Sequence, residues 1–103
     1  IGLASYYHPS LDGETTASGT AFDNGAMMAA HPTYPFDTLV RVTNLEKEGA
    51  VIEVHITDRG PTQENVAEGV IIDLSGAAAE KLGMLRDGRV QVKVEVLEWG
   101  EDS

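Results

Sequence analysis

The chain has 103 residues and a mass of 11.0 kDa, the size of one domain with one compact core. Its formal charge of −10 is repelled by phosphate backbones and anionic lipids, which argues against nucleic-acid binding and membrane-surface docking. The absence of cysteine excludes disulfides, thiolate metal sites and cysteine nucleophiles. No apolar run is long enough to span a membrane, and no signal peptide is visible.

The first third of the chain alternates strand-like and polar sequence. Residues 2–7 predict a short strand, followed by a long polar loop over residues 8–25. A loop of this length is often functional. Residues 27–30 form a brief apolar segment, and Pro32 and Pro35 mark a turn after it.

Two strands joined by a hairpin follow, at residues 38–44 and 51–57. His55 shares the polar face of the second strand, so we interpret it as a solvated histidine rather than a ligand. Residues 58–61 then break the chain sharply. Residues 70–74 are apolar apart from one aspartate and predict a buried strand.

Residues 75–82 are the one clear helix in the sequence. Ser75 is a suitable N-cap, the alanine-rich run favours helix, and Gly83 suits the position after the helix end. Valine alternates with polar residues over residues 90–96, which predicts the last strand.

Five or six short strands with one short helix predict a mainly β protein, and specifically a small closed barrel. A chain this small must hide the edges of its sheet, and closure removes them. We expect one barrel domain over residues 1–99 and a frayed tail over residues 100–103.

The residues alone offer few familiar sites. The three histidines have no metal-ligand spacing, and polar residues beside glycines and chain breaks remain as candidates. Asp58 is either a turn initiator whose carboxylate accepts backbone N–H groups or a general acid/base at a strand end. Spacing alone favours the turn, and it likewise favours His31 as a buried structural histidine and Asp23 as a local cap.

Eight short motifs follow one another along the chain: GLASYY (2–7), TASG (16–19), FD (22–23), AAH (29–31), PFDT (35–38), VRVTNL (40–45), TDRGP (57–61) and IDLS (72–75). In this order they closely resemble the rare lipoprotein A family of bacterial envelope proteins. Each motif is weak, but eight in register are highly specific, and the resemblance extends over residues 2–97. The first domain of expansins and the barwin-like proteins share the fold more distantly.

The resemblance implies a six-stranded double-psi β-barrel with one or two short helices. It also implies a lytic transglycosylase that cleaves the bond from N-acetylmuramic acid to N-acetylglucosamine in glycan strands stripped of stem peptides, leaving a 1,6-anhydro end. No metal or organic cofactor is expected. The partner is the peptidoglycan glycan strand, and we expect a monomer. The location is the bacterial envelope (periplasmic, outer-membrane-anchored or secreted), with any targeting segment outside this chain.

This chemistry needs an acid that protonates the glycosidic oxygen and a base that takes the proton of the sugar's own 6-hydroxyl. The resemblance implies that Asp58 is the acid/base and that His31 is a second catalytic residue. It leads us to expect five substrate-binding residues, Tyr7, Ser18, Thr20, Asp23 and Arg59.

One departure from the family keeps other functions open. The family usually carries a second catalytic carboxylate, a glutamate, where this chain has Thr20, and a threonine hydroxyl can neither protonate a leaving group nor supply a negative charge. A glutamate at position 20 is expected to restore the pair. A weakly catalytic or non-catalytic module that binds or loosens the wall, as in expansin-like relatives, is the alternative. A structural or inhibitory protein on the same barrel is a third.

Two further features concern the rim of the expected groove. The segment between Pro61 and Val70 is longer than is usual in the family, so it should alter one rim. Several aromatic side chains could stack on sugars, although aromatics at strand ends are more often rim packing; they are Tyr6, Tyr7, Tyr34 and Trp99.

Overall fold

The computed structural model describes residues 1–7, 13–23 and 25–100. Within them lie six strands and two helices: β1 (Gly2–Tyr6), β2 (Met28–Ala30), β3 (Leu39–Asn44), β4 (Val51–Asp58), α1 (Gln63–Ala67), β5 (Val70–Leu74), α2 (Gly76–Leu82) and β6 (Val90–Glu98). The strands close into a barrel in the order β1-β5-β2-β4-β3-β6. The predicted six-stranded, mainly β barrel is confirmed.

The core fills the inside of this barrel. Strands β3 and β4 largely alternate buried and more accessible residues, and their buried positions are valines and isoleucines that suit a pleated surface, except Asn44 and Thr57 at the strand ends. His55 lies on the exposed face of β4, as predicted. Helix α2 buries Ala78, Ala79 and Leu82 against the core.

The ends of α2 agree with the sequence. The Ser75 hydroxyl accepts a hydrogen bond from the Ala78 N–H, and Gly83 adopts the left-handed conformation at φ 76°. The helix predicted over residues 75–82 is therefore confirmed.

Two parallel strand pairs position the chemistry. In β1 with β5, Ser5 pairs with Asp73, and in β2 with β4, Ala30 pairs with Asp58. Because β2 also pairs antiparallel with β5, Ala30 is the partner of Asp73 as well. These four residues lie side by side across β4, β2, β5 and β1, and we call them the paired row. Asp58 and Asp73 are two strand spacings apart in it, roughly 10 Å between backbones.

Helix α1 occupies part of the segment between Pro61 and Val70. It has only five residues and none is buried, so it lacks the apolar periodicity that predicts a helix. Thr62 caps its start, and Arg89 holds it from the barrel, donating to Glu68 Oε1 at 2.7 Å and to Asn65 Oδ1 at 2.9 Å.

The last described residue is fixed in place. The Gly100 N–H donates to Thr38 Oγ1 at 3.0 Å, and residues 101–103 of the predicted tail lie outside the described residues. Neither helix of the described chain has the length and apolar character needed to cross a membrane.

Candidate active site

A cleft of about 640 Å³ opens where the paired row reaches the surface of the barrel. Asp58 and Asp73 both face it. The row explains this arrangement, since it places the two aspartates on either side of Ala30, a small and fully buried residue. The cleft is lined by Ser5, Tyr6, Tyr7, Pro32, Asp58, Arg59, Gly60, Pro61, Thr62, Gln63, Asn65 and Asp73.

Asp58 is held by three hydrogen-bond donors at the end of β4. Its Oδ1 accepts from the backbone N–H of Ala17 and of Arg59, both at 2.8 Å. Its Oδ2 accepts from the Tyr7 hydroxyl, also at 2.8 Å. Accepting three bonds is the pattern of a carboxylate rather than a carboxylic acid. Asp58 thus holds its own turn and faces the cleft at the same time.

Asp73 has a different environment, inside β5. Burial raises the pKa of this carboxyl, and the nearby charge of Asp58 raises it further, while the hydrogen bond from the Ser5 hydroxyl and the charge of Arg89 act in the opposite direction. Asp73 therefore keeps its proton to a higher pH than an exposed aspartate does. Sequence reasoning missed this candidate; the available signal was a single aspartate in an otherwise apolar strand, where burial of a charge is costly.

Tyr7 connects the cleft to the loop after β1. Burial raises the pKa of its hydroxyl, and so do the hydrogen bond to Asp58 and the two carboxylate charges. Tyr7 therefore stays protonated and acts as a donor to Asp58. Its ring stacks on Phe22, with the ring centroids 4.5 Å apart, which fixes the direction of the hydroxyl.

His31 contacts Asp58 through backbone rather than through its ring. The His31 N–H donates to the Asp58 carbonyl at 3.2 Å, while Nδ1 accepts from the N–H groups of Thr33 and Tyr34, both at 3.1 Å. Partial burial, and to a lesser degree Arg59, lowers the pKa of His31 to about 4. The ring is neutral at physiological pH and holds the turn that carries Pro32 to the cleft.

Arg59 lies between the cleft and this turn. Its guanidinium donates to the Tyr34 carbonyl at 2.8 Å and to the His31 carbonyl at 3.4 Å, and it lies 4.1 Å from the centre of the Phe36 ring. The side chain is exposed and lines the cleft. Arg59 is thus positioned to meet a substrate and to brace the turn over residues 31–34.

Part of the predicted loop over residues 8–25 forms a short hairpin. Thr15 and Ala21 pair in an antiparallel bridge, and the tip docks on β4, where the Ser18 N–H donates to the Thr57 carbonyl at 3.2 Å. Residues 8–12 and 24 lie outside the described residues. The hairpin brings the Ala17 N–H to Asp58, so the TASG motif contributes backbone to the site.

The side chains at the hairpin tip bond mainly to one another. The hydroxyls of Thr16, Ser18 and Thr20 form a triangle with edges of 2.9, 3.0 and 3.1 Å, and Thr16 Oγ1 also donates to the Thr20 carbonyl at 2.8 Å. Asp23 Oδ1 accepts from the Gly25 N–H at 2.8 Å, as in a local cap. The described lining of the cleft contains Tyr7, Asp58 and Arg59 of the predicted site residues, but none of His31, Ser18, Thr20 and Asp23.

No metal centre is formed by the described part of the chain. Within residues 1–7, 13–23 and 25–100, no three histidine or carboxylate side chains are close enough together to hold a metal ion.

Comparison with known proteins places the chain in a family. A family model described as "Lytic transglycolase" matches residues 1–94. The endolytic peptidoglycan transglycosylase RlpA of Haemophilus influenzae is 45% identical over 96 residues, 93% of this chain and 32% of the relative. The probable endolytic peptidoglycan transglycosylase RlpA of Aquifex aeolicus is 44% identical over 99 residues, 96% of this chain and 42% of the relative. The chain therefore spans less than half the length of these relatives.

A solved structure gives the same fold. The Streptomyces papain inhibitor matches with a TM-score of 0.66 and 28% identity, covering 90% of this chain and 87% of that one. The resemblance to rare lipoprotein A is confirmed by the family match and by the RlpA relatives. The chain belongs to the lytic transglycolase family, as an RlpA-like double-psi β-barrel.

Proposed function

We propose that this chain is the catalytic domain of a peptidoglycan lytic transglycosylase, acting on glycan strands stripped of stem peptides. The observation that carries the proposal is the pair of carboxylates, Asp58 and Asp73, which face one cleft from contrasting environments. The names of the relatives support the reaction class. This chain has Thr20 where the family usually has a glutamate, and Asp73 supplies the second carboxyl group that Thr20 cannot.

Asp73 is the better proton donor of the two. Its raised pKa keeps the acid form available, and it protonates the oxygen that leaves as the bond between N-acetylmuramic acid and N-acetylglucosamine breaks. Ser5 donates to Oδ1, so the proton to be transferred is held on Oδ2. A donor with a pKa close to the working pH transfers its proton most effectively.

Asp58 is the better base. It is the carboxylate with three donors, and it accepts the proton of the muramic 6-hydroxyl as that oxygen bonds to the anomeric carbon. The glycosidic bond breaks, the 1,6-anhydro ring closes, and one proton moves from Asp73 to the leaving oxygen while another reaches Asp58. Proton exchange with solvent then resets the pair.

The residues around the pair position it. Tyr7 and the Ala17 N–H fix the Asp58 carboxylate, and His31 holds the turn beside it in a neutral state. We infer that Arg59 contacts substrate at the cleft, whereas Ser18 and Thr20 keep the hairpin tip in shape, and Asp23 shapes the turn that follows it. A domain with this substrate works in the bacterial envelope.

A wall-binding module is the second candidate, and Thr20 is the observation that favours it. Such a module would use the same cleft to bind glycan without breaking it. The two functions differ in one product, because only the enzyme releases 1,6-anhydro ends.

Digestion of peptide-free glycan strands, followed by mass spectrometry of the products, tests the proposal. The parent chain should release anhydro-ended fragments, and Asp58→Asn should release them at least about 100-fold more slowly. The fold should survive, because asparagine can still accept from Ala17 and Arg59. Asp87→Asn, an isosteric change at an exposed turn, is the matched control and should keep the parent rate.

Two results would overturn it. A well-folded Asp58→Asn variant with the parent rate would remove Asp58 from the reaction. Retention of glycan strands by the parent without any anhydro product would select the wall-binding module.

A further inference from the structure

A row of three aromatic rings extends from the turn beside the cleft to the surface. His31 and Tyr34 stack with ring centroids 3.6 Å apart and planes 10° apart. Tyr34 then meets Trp99 edge to face, at 5.3 Å and 83°. We call these three side chains the aromatic row. Trp99 is its outer end and is 60% exposed, which makes it a large apolar surface facing water.

The inner end of the row is fixed to the cleft. Arg59, which lines the cleft, donates to the backbone carbonyls of His31 and Tyr34. Pro32, between those two residues in sequence, also lines the cleft. A chain lying in the cleft and leaving it past Arg59 and Pro32 would therefore reach the aromatic row next.

The outer end is equally well fixed, although it is exposed. Glu98 pairs with Leu39 in the sheet, and the Gly100 N–H donates to Thr38, so the backbone of Trp99 is held on both sides. The chain approaches so closely there that a side chain on Gly100 would collide with the Phe36 carbonyl. An exposed indole on a rigid backbone gives a ligand its contact area at little entropic cost.

The surroundings of Trp99 select the kind of ligand. A depression of about 300 Å³ beside it is lined by Asp37, Glu98, Trp99 and Gly100. The carboxylates accept hydrogen bonds from hydroxyl groups, while the indole face offers an apolar contact, which together suit a sugar ring. The two carboxylates and the net charge of −10 disfavour an anionic ligand. In a glycan of alternating anionic muramic and neutral glucosamine residues, the neutral residue fits.

We propose that Tyr34 and Trp99 form a second glycan subsite, outside the cleft, which stacks a neutral N-acetylhexosamine residue of the same strand. The subsite rests on the proposed function for its substrate class. It would favour strands long enough to fill the cleft and the aromatic row together.

The only tryptophan of the chain is Trp99, so its fluorescence reports directly on this subsite. N-acetylglucosamine oligomers from the disaccharide to the hexasaccharide serve as neutral probes, with Asp58→Asn as the protein so that nothing is cleaved. The hexasaccharide should shift the emission in a saturable way, and the disaccharide should not. In calorimetry, adding Trp99→Ala should weaken hexasaccharide binding roughly three- to tenfold, and Trp99→Tyr should restore most of it.

Leu45→Ala is the matched control. Leu45 is a similarly exposed apolar residue that follows Asn44, at the opposite end of β3 from the Leu39–Glu98 pair, and its removal should leave binding unchanged. Unchanged emission together with parent-like binding by the Trp99→Ala variant would overturn the subsite, as would failure of the hexasaccharide to bind. Neither result affects the cleavage assay of the parent. Conversely, a responding Trp99 in a parent that makes no anhydro product would keep the subsite and assign it to a wall-binding module.

Discussion

The end of β4 and the middle of β5 present the same side chain, aspartate, to one cleft under opposite conditions. Asp58 lies where the strand ends and accepts three hydrogen bonds, two of them from backbone N–H groups. Asp73 lies within a strand, where burial raises the pKa of its carboxyl, with one hydroxyl as partner. Donors favour the charged form, whereas burial favours the neutral form. The surroundings of the two aspartates, rather than the residue type, thus suit one to the role of acid and the other to the role of base.

The largest effect is expected from Asp73→Asn. The variant keeps an oxygen to accept from Ser5 but has no proton to give, so the release of anhydro products should fall by about 100-fold or more. The measurement is the rate of product formation on peptide-free strands. A rate within twofold of the parent would leave Asp58 to perform both steps alone.

The same variant should also be more stable than the parent at neutral pH. Burial raises the pKa of Asp73 in the folded state above its usual 3.8, so the folded protein holds this proton more tightly than the unfolded chain does. Its contribution to stability is complete below pH 3.8 and is lost as the pH rises through the folded value. Asparagine does not titrate. The melting temperature of Asp73→Asn should exceed that of the parent near pH 7, and the difference should shrink toward pH 4.

Thr20→Glu should change the rate of product release less. It tests whether a carboxylate at position 20 can replace that of Asp73. The Thr20 hydroxyl is directed at Thr16 and Ser18, and the residue is absent from the described lining of the cleft. We therefore expect less than a tenfold change in product release, with Thr20→Gln as the uncharged control. A hundredfold gain specific to glutamate would instead assign the second carboxylate to the hairpin.

His31→Asn extends the comparison to a group whose neutral form is also favoured by burial, through a pKa shift in the opposite direction. The pKa of His31 falls from 6.5 to about 4, so its contribution to stability is complete above pH 6.5 and is lost as the pH falls toward 4. Asparagine Oδ1 can accept from Thr33 and Tyr34 in place of Nδ1 but does not titrate. Between pH 6.5 and pH 4, the free energy of unfolding measured in urea should fall by about 1 kcal/mol more for the parent than for the variant. The effect is this small because solvent screens a half-exposed group. If the free energies of unfolding of the parent and the variant change with pH in parallel, the lowered pKa of His31 is contradicted.

The sequence predicted most of the barrel, because strands with one buried face carry a period of two and α2 carries a cap at each end. Asp58 was selected through the family resemblance, because its position before a sharp break at a strand end favoured, by itself, a turn role. Asp73 was missed because its partners, Ser5 and Ala30, are neighbours only after the strands pair. Spacing favoured a structural role for His31, but only the structure shows that its ring accepts from backbone N–H groups of its own turn.

The parallel pairing of β1 with β5 has a consequence for how the protein is made. Ser5 and Asp73 are 68 positions apart, and Tyr7 and Asp58 are 51 apart, so these contacts close very long loops. During synthesis the first strand emerges early and has no partner until residue 74 has left the ribosome. A nascent chain that ends before β5 therefore cannot form the paired row. The proposed glycan cleavage is therefore expected only after the whole domain has folded.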